Sequence, residues 1–187
     1  YNIPGNMFAV VALSQMQEIM EWVFRDIGFL EELKALEADI DHGIQLYGIY
    51  RHPTFGPIYA YETDGFGNYC LMDDAGTPGL MSIPYLGYVT ADDEIYQNTR
   101  RFALSKENPF YFEGSAAKGI GSPHTPKGYI WHMALSMQGL TASTKEEKLE
   151  MIAMLEATDA DTGFMHEGFN ADDPNQFTRK WFAWSNS

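Results

Sequence analysis

The sequence is poor in cysteine and in basic residues. Cys70 is its one cysteine, and 12 Lys and Arg stand against 26 Asp and Glu, which gives a formal charge of −14. A single cysteine cannot form an intramolecular disulfide, so the fold does not depend on an oxidising compartment. The negative charge repels nucleic-acid phosphates and anionic membrane surfaces. We therefore expect neither nucleic acid nor a membrane among the partners.

Long apolar runs and targeting signals are also absent. No stretch of 18 apolar residues occurs, and the first residues lack the basic start and apolar segment of a signal peptide. The sequence therefore favours a bacterial cytoplasmic or periplasmic location over a membrane-bound one and leaves the compartment open.

Several catalytic motifs are missing as well. The sequence has no Walker loop, no Gly-x-Gly-x-x-Gly, no Gly-x-Ser-x-Gly elbow and no His-x-x-x-His pair. Phosphate-loop, dinucleotide, covalent acyl and zinc chemistry consequently have no support. We predict no cofactor and no metal.

Aromatic residues, in contrast, are plentiful at 14%, with 11 Tyr and 4 Trp. Many stand beside Gly, Asn, Asp or His in segments without periodicity. Sugar-binding sites mix aromatic faces, which stack on the apolar side of a sugar ring, with several polar groups. This composition is typical of a carbohydrate site, although any single aromatic is more often a core residue.

Helical periodicity dominates the chain. The spacing predicts helices over residues 6–26 and 29–47, with Asn6 as the first N-cap and Gly28 as the turn between them. Further helices are predicted over residues 78–88, 92–104, 128–140, 145–158 and 174–187, the fourth capped by Thr144 with Glu147. A β-hairpin is predicted within residues 50–74, around the turn 64–68. The expected class is all-α, with about seven helices and a small β-hairpin insertion.

Loops rich in Gly, Pro, Asp, His and Asn precede alternate helices, at residues 1–6, 73–78, 119–127 and 163–174. Helix pairs arranged in this way stack into an α/α toroid whose functional loops meet at one mouth. The alternative is an irregular helical bundle.

Glu167 is the strongest catalytic candidate. It lies among aromatic residues and between Gly163 and Gly168, and glycines let a backbone approach a ligand closely. Such a glutamate could act as a general base on water if an acid lies on the other side of the bond to be broken. The alternative is an ordinary surface-loop glutamate.

Other polar side chains could bind a sugar. His124 and His132 could donate to hydroxyls while Trp131 stacks on a ring, or the histidines could be hydrogen-bonded structural residues. Asp73 and Asp74 could cap a helix, clamp a hydroxyl or supply the acid that acts with Glu167.

Two further acidic loops have plainer explanations. Asp64 is more often a turn former than a ligand. Residues 159–163 faintly resemble a calcium loop, but the glycine comes one position early.

Six segments closely resemble glycoside hydrolase family 125, in the same order along the chain. They are residues 1–7, 72–75, 121–126, 128–132, 164–167 and 177–184. The resemblance implies an (α/α)6 barrel and a metal-independent, inverting exo-α-mannosidase that removes terminal α-1,6-linked mannose. The implied partners are α-1,6-mannosides from N-glycans or mannan.

The resemblance also assigns site residues. The family's general base falls on Glu167, and its general acid is an aspartate of an Arg-Pro-Ser-Asp-Asp-Ala motif expected upstream of Tyr1. Residues 1–187 would then be the C-terminal portion of a single catalytic domain, truncated at both ends. Substrate contacts are expected at His124, Trp131, His132, Asp73, Asp74, His166, Asp64 and Asn6. The alternatives are an inactive carbohydrate-binding fragment and a calcium-dependent α-mannosidase of similar fold.

Overall fold

Two packed helices open the chain in the computed structural model, which describes all 187 residues, Tyr1–Ser187. Helix α1 spans Ile3–Ile19 and continues as a π-helical turn, Met20–Phe24; helix α2 spans Ile27–Tyr47. Asn2 caps α1, because its Oδ1 accepts a hydrogen bond from the N–H of Gly5 at 2.8 Å. The predicted cap at Asn6 is wrong, since Pro4 is tolerated in the first turn and the helix starts earlier.

The break between α1 and α2 lies before the predicted one. Arg25 adopts a left-handed backbone with φ 56°, and Asp26 caps α2 by accepting from the N–H of Phe29 at 3.1 Å. Gly28 therefore lies inside α2 and does not end a helix.

Four small antiparallel sheets replace the single predicted hairpin. Strand β1 (Ile49–His52) pairs with β2 (Gly56–Tyr59), and β3 (Glu62–Thr63) pairs with β4 (Tyr69–Cys70). Strand β5 (Tyr111–Glu113) pairs with β6 (Lys118–Ile120). The fourth sheet has three strands in the order β7 (Tyr129–Ile130), β8 (Gly168–Asn170) and β9 (Phe177–Thr178). The hairpin at β3–β4 was predicted, whereas strands of two to four residues elsewhere are too short to show an alternating pattern.

The remaining helices are shorter. A 3₁₀ turn at Leu80–Ser82 leads into α3 (Ile83–Leu86), followed by α4 (Glu94–Ala103), α5 (His132–Leu140) and α6 (Lys145–Ala157). Thr144 caps α6 as predicted, with Oγ1 accepting from the N–H of Glu147 at 3.3 Å.

Two helix predictions fail where the three-stranded sheet forms. Residues 129–130 pair with β8, so α5 begins only at His132. The predicted helix over 174–187 is wrong, because Phe177–Thr178 pairs with β8 and only a 3₁₀ turn, Ala183–Ser185, follows. The molecule is thus helix-rich, with six helices and small sheets, rather than all-α with about seven helices.

The apolar core has three clusters. One of them joins β7 and β8 to α5 and α6 and supports the segment around Glu167; its buried members are Ala117, Ile130, Leu135, Met151, Phe169 and Ala171. A second contains Trp131 and Phe182, and the third packs α1 on α2, on β2 and on the region of α3 and α4. None of the helices combines the length and apolar content required to cross a membrane.

Candidate active site

A cleft of about 700 Å³ contains Glu167. Aromatic side chains form most of its walls, and the lining residues are His124, Trp131, Glu167, Arg179, Trp181, Phe182, Ala183 and Trp184. Three of the predicted site residues, Glu167, His124 and Trp131, thus share one cleft.

Pairing of β8 with β9 sets the position of Glu167. Gly168 is opposite Thr178 in the antiparallel register, so Glu167 faces Arg179 one step further along. The N–H of Glu167 donates to the carbonyl of Thr178 at 3.2 Å. The Glu167 side chain is 13% exposed, and its Oε2 lies 3.4 Å from Nε of Arg179. The second oxygen, Oε1, carries no such ion pair.

His132 and His166 lie beneath Glu167 and are fully buried. Nδ1 and Nε2 of His166 lie 2.7 Å from the carbonyl of Lys180 and 3.1 Å from that of Asp159. Its ring stacks on Phe177 with centroids 3.9 Å apart. Both rings are buried away from the cleft surface of this chain, and the sugar contacts expected at His132 and His166 stay predictions.

The hydrogen bonds of His132 fix its tautomer. Nδ1 of His132 lies 3.3 Å from the carbonyl oxygen of His166, but the N–H of His166 donates to it at the shorter distance of 2.9 Å, so this nitrogen is an acceptor and carries no proton. Nε2 lies 3.0 Å from Oγ1 of Thr158, whose own hydroxyl donates to the carbonyl of Met154. Nε2 therefore carries the proton. Burial lowers the pKa of His132 to about 4, which keeps the ring neutral at pH 7.

Trp131 forms a fixed wall of the cleft. The indole is almost fully buried, and its Nε1–H donates to Oγ1 of Thr125 at 2.9 Å. Gly168 packs closely against it, because a Cβ there would lie 3.0 Å from Cδ1 of Trp131. The exposed aromatics of the cleft are instead Trp181 and Trp184, which had not been predicted as contacts although they belong to the matched segment 177–184.

Asp74 borders the cleft through His124. Its Oδ2 lies 3.9 Å from Nε2 of the exposed His124. Its Oδ1 is buried and accepts no hydrogen bond from the protein. Tyr61 lies nearby, and burial, followed by the charge of Asp74, raises the pKa of that phenol to about 12. Because an unpaired buried acceptor is unfavourable, Asp74 is suited to accept a ligand hydroxyl.

Asp73 has the capping role that was the alternative to sugar binding. Its two carboxylate oxygens accept from the N–H groups of Leu80 at 2.7 Å and Met81 at 3.1 Å. Burial raises the pKa of Asp73 to about 7. Both oxygens are occupied and the side chain is buried, which supports the capping role, and a sugar contact of Asp73 stays a prediction.

Asn6 and Asp64 lie outside the Glu167 cleft. They line a separate cavity of about 410 Å³, beside Tyr1 and Phe66. Asp64 accepts from the N–H of Phe66 at 2.7 Å, and its hydrogen bond with the Asn68 side chain lowers its pKa. Asp64 is thus the turn former of the β3–β4 hairpin. Substrate contacts of Asn6 and Asp64 stay predictions.

The loop with a faint likeness to a calcium site is a hydrogen-bonded turn. The carboxylate of Asp159 accepts from the N–H groups of Asp161 and Gly163, both at 3.0 Å. No group of three or more His, Cys, Asp or Glu side chains in the molecule is arranged to hold a metal ion. A calcium site at residues 159–163 therefore lacks a ligand set.

The sequence profile of a family described as metal-independent alpha-mannosidase (GH125) matches residues 1–187. The chain belongs to the GH125 family. The resemblance drawn from the six sequence segments is thereby confirmed.

Two proteins similar to this chain are both much longer than it. A solved structure of a metal-independent α-mannosidase from Streptococcus pneumoniae, in a non-productive complex with α-1,6-mannobiose, is 47% identical; it superimposes with a TM-score of 0.97 over 100% of this chain and 44% of that one. The Meiotically up-regulated gene 157 protein of Schizosaccharomyces pombe is 41% identical over 188 residues, which are 100% of this chain and 37% of that protein. The chain spans less than half the length of either relative.

Proposed function

We propose that this chain forms the C-terminal portion of the catalytic domain of an exo-acting α-mannosidase. The enzyme removes terminal, non-reducing α-1,6-linked mannose with inversion of configuration and without a metal ion. The observation that carries the proposal is the position of Glu167: its partly exposed carboxylate lies in an aromatic-lined cleft of a GH125 chain. The expected substrates are α-1,6-mannosides such as fragments of N-glycans or mannan.

Glu167 is the general base of the proposed reaction. It takes a proton from a water molecule, which attacks the anomeric carbon from the face opposite the leaving group. A general acid, an aspartate upstream of Tyr1, gives its proton to the glycosidic oxygen as that bond breaks. The two carboxyl groups of an inverting glycosidase lie about 6.5–9.5 Å apart, which leaves space for the water.

The other cleft residues supply binding groups. Trp181 and Trp184 are exposed and present faces on which a sugar ring can stack. Oδ1 of Asp74 can accept a sugar hydroxyl, and His124 beside it can donate to or accept from another. The complex of the streptococcal relative with α-1,6-mannobiose supports this choice of ligand.

The fold proposal is an (α/α)6 barrel to which residues 1–187 contribute the C-terminal part. Coverage of 44% and 37% of the two relatives supports it. So does the apolar surface at the end of α1, where Trp22, Val23 and Phe24 are 75%, 68% and 68% exposed. An apolar face of this kind is expected to be covered by other helices of the barrel.

The direct test is the activity of a protein extended upstream of Tyr1 on α-1,6-mannobiose, with and without Glu167→Gln. Loss of the base is expected to lower kcat/KM by about 10²- to 10⁴-fold. Glu113→Gln, at the exposed residue of strand β5, is the matched control and is expected to keep full activity. Mannoside binding without turnover in the extended protein would favour the carbohydrate-binding alternative, and inhibition by a chelator would favour the calcium-dependent one.

A further inference from the structure

Arg179 has an unusual backbone for its residue type. Its φ is 47°, in the left-handed region that residues with a Cβ seldom adopt. Such conformations cluster at functional sites, where the surrounding structure enforces them. The residue immediately follows β9 and therefore stands opposite Glu167 in the sheet register.

Two contacts define the direction of the Arg179 side chain. Nε lies 3.4 Å from Oε2 of Glu167, and the guanidinium carbon lies 5.7 Å from the centroid of the Phe182 ring. An ion pair with a carboxylate on one side and an aromatic face on the other restrict both the position and the orientation of the guanidinium.

Fold stability does not explain why an arginine occupies this position. The Arg179 side chain is 66% exposed, and exposed ion pairs contribute little to stability. The left-handed backbone is itself unfavourable for arginine, and glycine would adopt it without strain. The arginine therefore has a role that lies in the cleft.

We propose that Arg179 is a positioning residue for Glu167. Its guanidinium engages Oε2 and thereby fixes the rotamer of the carboxylate, which leaves Oε1 as the oxygen that receives the proton of the attacking water. The inference rests on the proposed role of Glu167 as general base. It adds an assignment of the reacting oxygen and of the group that selects it.

Arg179→Gly in the upstream-extended protein is the most informative variant. We expect Tm to stay equal or to rise by about 1–3 °C, because glycine relieves the backbone strain. We expect kcat on α-1,6-mannobiose to fall by about 10- to 100-fold through loss of orientation, with KM changed less than about 3-fold. Added guanidinium ion at millimolar concentration is expected to restore part of kcat, and Arg179→Lys is expected to lie between wild type and Arg179→Gly.

Arg25→Gly is the matched control. Arg25 has a similar backbone, with φ 56°, but makes no ion pair with a carboxylate. Replacement of Arg25 by Gly is expected to change Tm in the same direction as Arg179→Gly. It is expected to leave kcat unaltered, both with and without added guanidinium ion.

Failure of this inference can be told apart from failure of the proposed function. An active Glu167→Gln variant overturns the role of Glu167 itself. If Glu167→Gln is inactive but Arg179→Gly keeps wild-type kcat, the positioning role is overturned. Parallel loss of Tm and kcat in Arg179→Gly without guanidinium rescue also overturns it, because that result denotes a structural residue.

Discussion

At the scale of single residues, the cleft is built from two kinds of side chain. Some reach its surface, and others are buried and hold its walls in place. Glu167 keeps part of its carboxylate exposed, whereas His166, the preceding residue, is fully buried and faces the carbonyls of Lys180 and Asp159. Neighbouring residues thus combine the proposed general base with a buried side chain that anchors its segment. Polar residue type alone does not distinguish the two roles, which is why His132 and His166 were expected at the sugar.

Asp74→Asn should separate binding from stability. The amide removes the negative charge of a carboxylate whose Oδ1 is buried without a hydrogen-bond partner, so we expect the free energy of unfolding to rise by up to about 1 kcal/mol. It also weakens the acceptor offered to a sugar hydroxyl, so we expect KM for α-1,6-mannobiose to rise several-fold, or about 1 kcal/mol of binding. Urea unfolding and steady-state kinetics measure the two effects, with exposed Asp92→Asn as control. A stable variant with unchanged KM would remove Asp74 from the sugar site.

His132 should make stability depend on pH. Its pKa falls from 6.5 to about 4 on folding through burial, so the native state favours the neutral ring. The contribution of His132 to the free energy of unfolding is fully present above pH 6.5. It is lost as pH falls from 6.5 towards 4, and the loss is about 3 kcal/mol at most. Because Asp73 titrates in an overlapping range with the opposite sign, the measurement is the difference in unfolding free energy between wild type and His132→Gln. That difference should shrink between pH 7 and pH 4, and a constant difference would contradict the buried neutral ring.

At the scale of secondary-structure elements, the site depends on close contacts of the loop 121–127 with strands β5 and β7. A Cβ on Gly121 would lie 2.0 Å from the carbonyl oxygen of Tyr129 and 2.7 Å from the Phe112 ring. No backbone oxygen can approach a side-chain carbon so closely, so the loop or the strand would have to shift.

Gly121→Ala is therefore expected to destabilise the fold by about 3 kcal/mol. Gly76→Ala is the control, since a Cβ there meets no atom within 4 Å, and its unfolding free energy should stay close to that of wild type. Chemical denaturation of the two variants measures the contrast. Equal stability would show that the loop 121–127 is not held against Tyr129.

The predictability of the elements follows their length. Helices α2, α4 and α6 were predicted to within a few residues, because each contains two or more turns of sequence signal. The strands β7, β8 and β9 have two or three residues each, and only their mutual pairing reveals them. Glu167 was found through its glycine-flanked loop. Arg179 was not, because its partner is brought opposite it by the β8–β9 register, which no local pattern encodes.

At the scale of the whole molecule, the exposed apolar surface of the first two helices is the most prominent feature. Ile27 is 75% exposed, next to the equally exposed Trp22 and to Phe24. Contiguous apolar surfaces of this kind mark interfaces or favour aggregation. Under the barrel proposal, helices upstream of Tyr1 cover this face.

The isolated chain of residues 1–187 is accordingly expected to aggregate and to lack mannosidase activity. Replacement of Trp22 and Phe24 by Ser should raise the soluble fraction of the isolated chain, and Leu149→Ser on the remote helix α6 should raise it less. Size-exclusion chromatography with light scattering is the measurement. A wild-type preparation that is soluble, monomeric and active would contradict the expectation.

The central claim is that Glu167 activates water on the face of mannose opposite the leaving group, and the stereochemistry of the product tests it most directly. Proton NMR of α-1,6-mannobiose treated with the upstream-extended protein would follow the anomeric signals during the first minutes. The account predicts that β-mannose appears first and equilibrates with α-mannose later. Initial release of α-mannose would contradict it, because retention requires a covalent intermediate in place of direct attack by water.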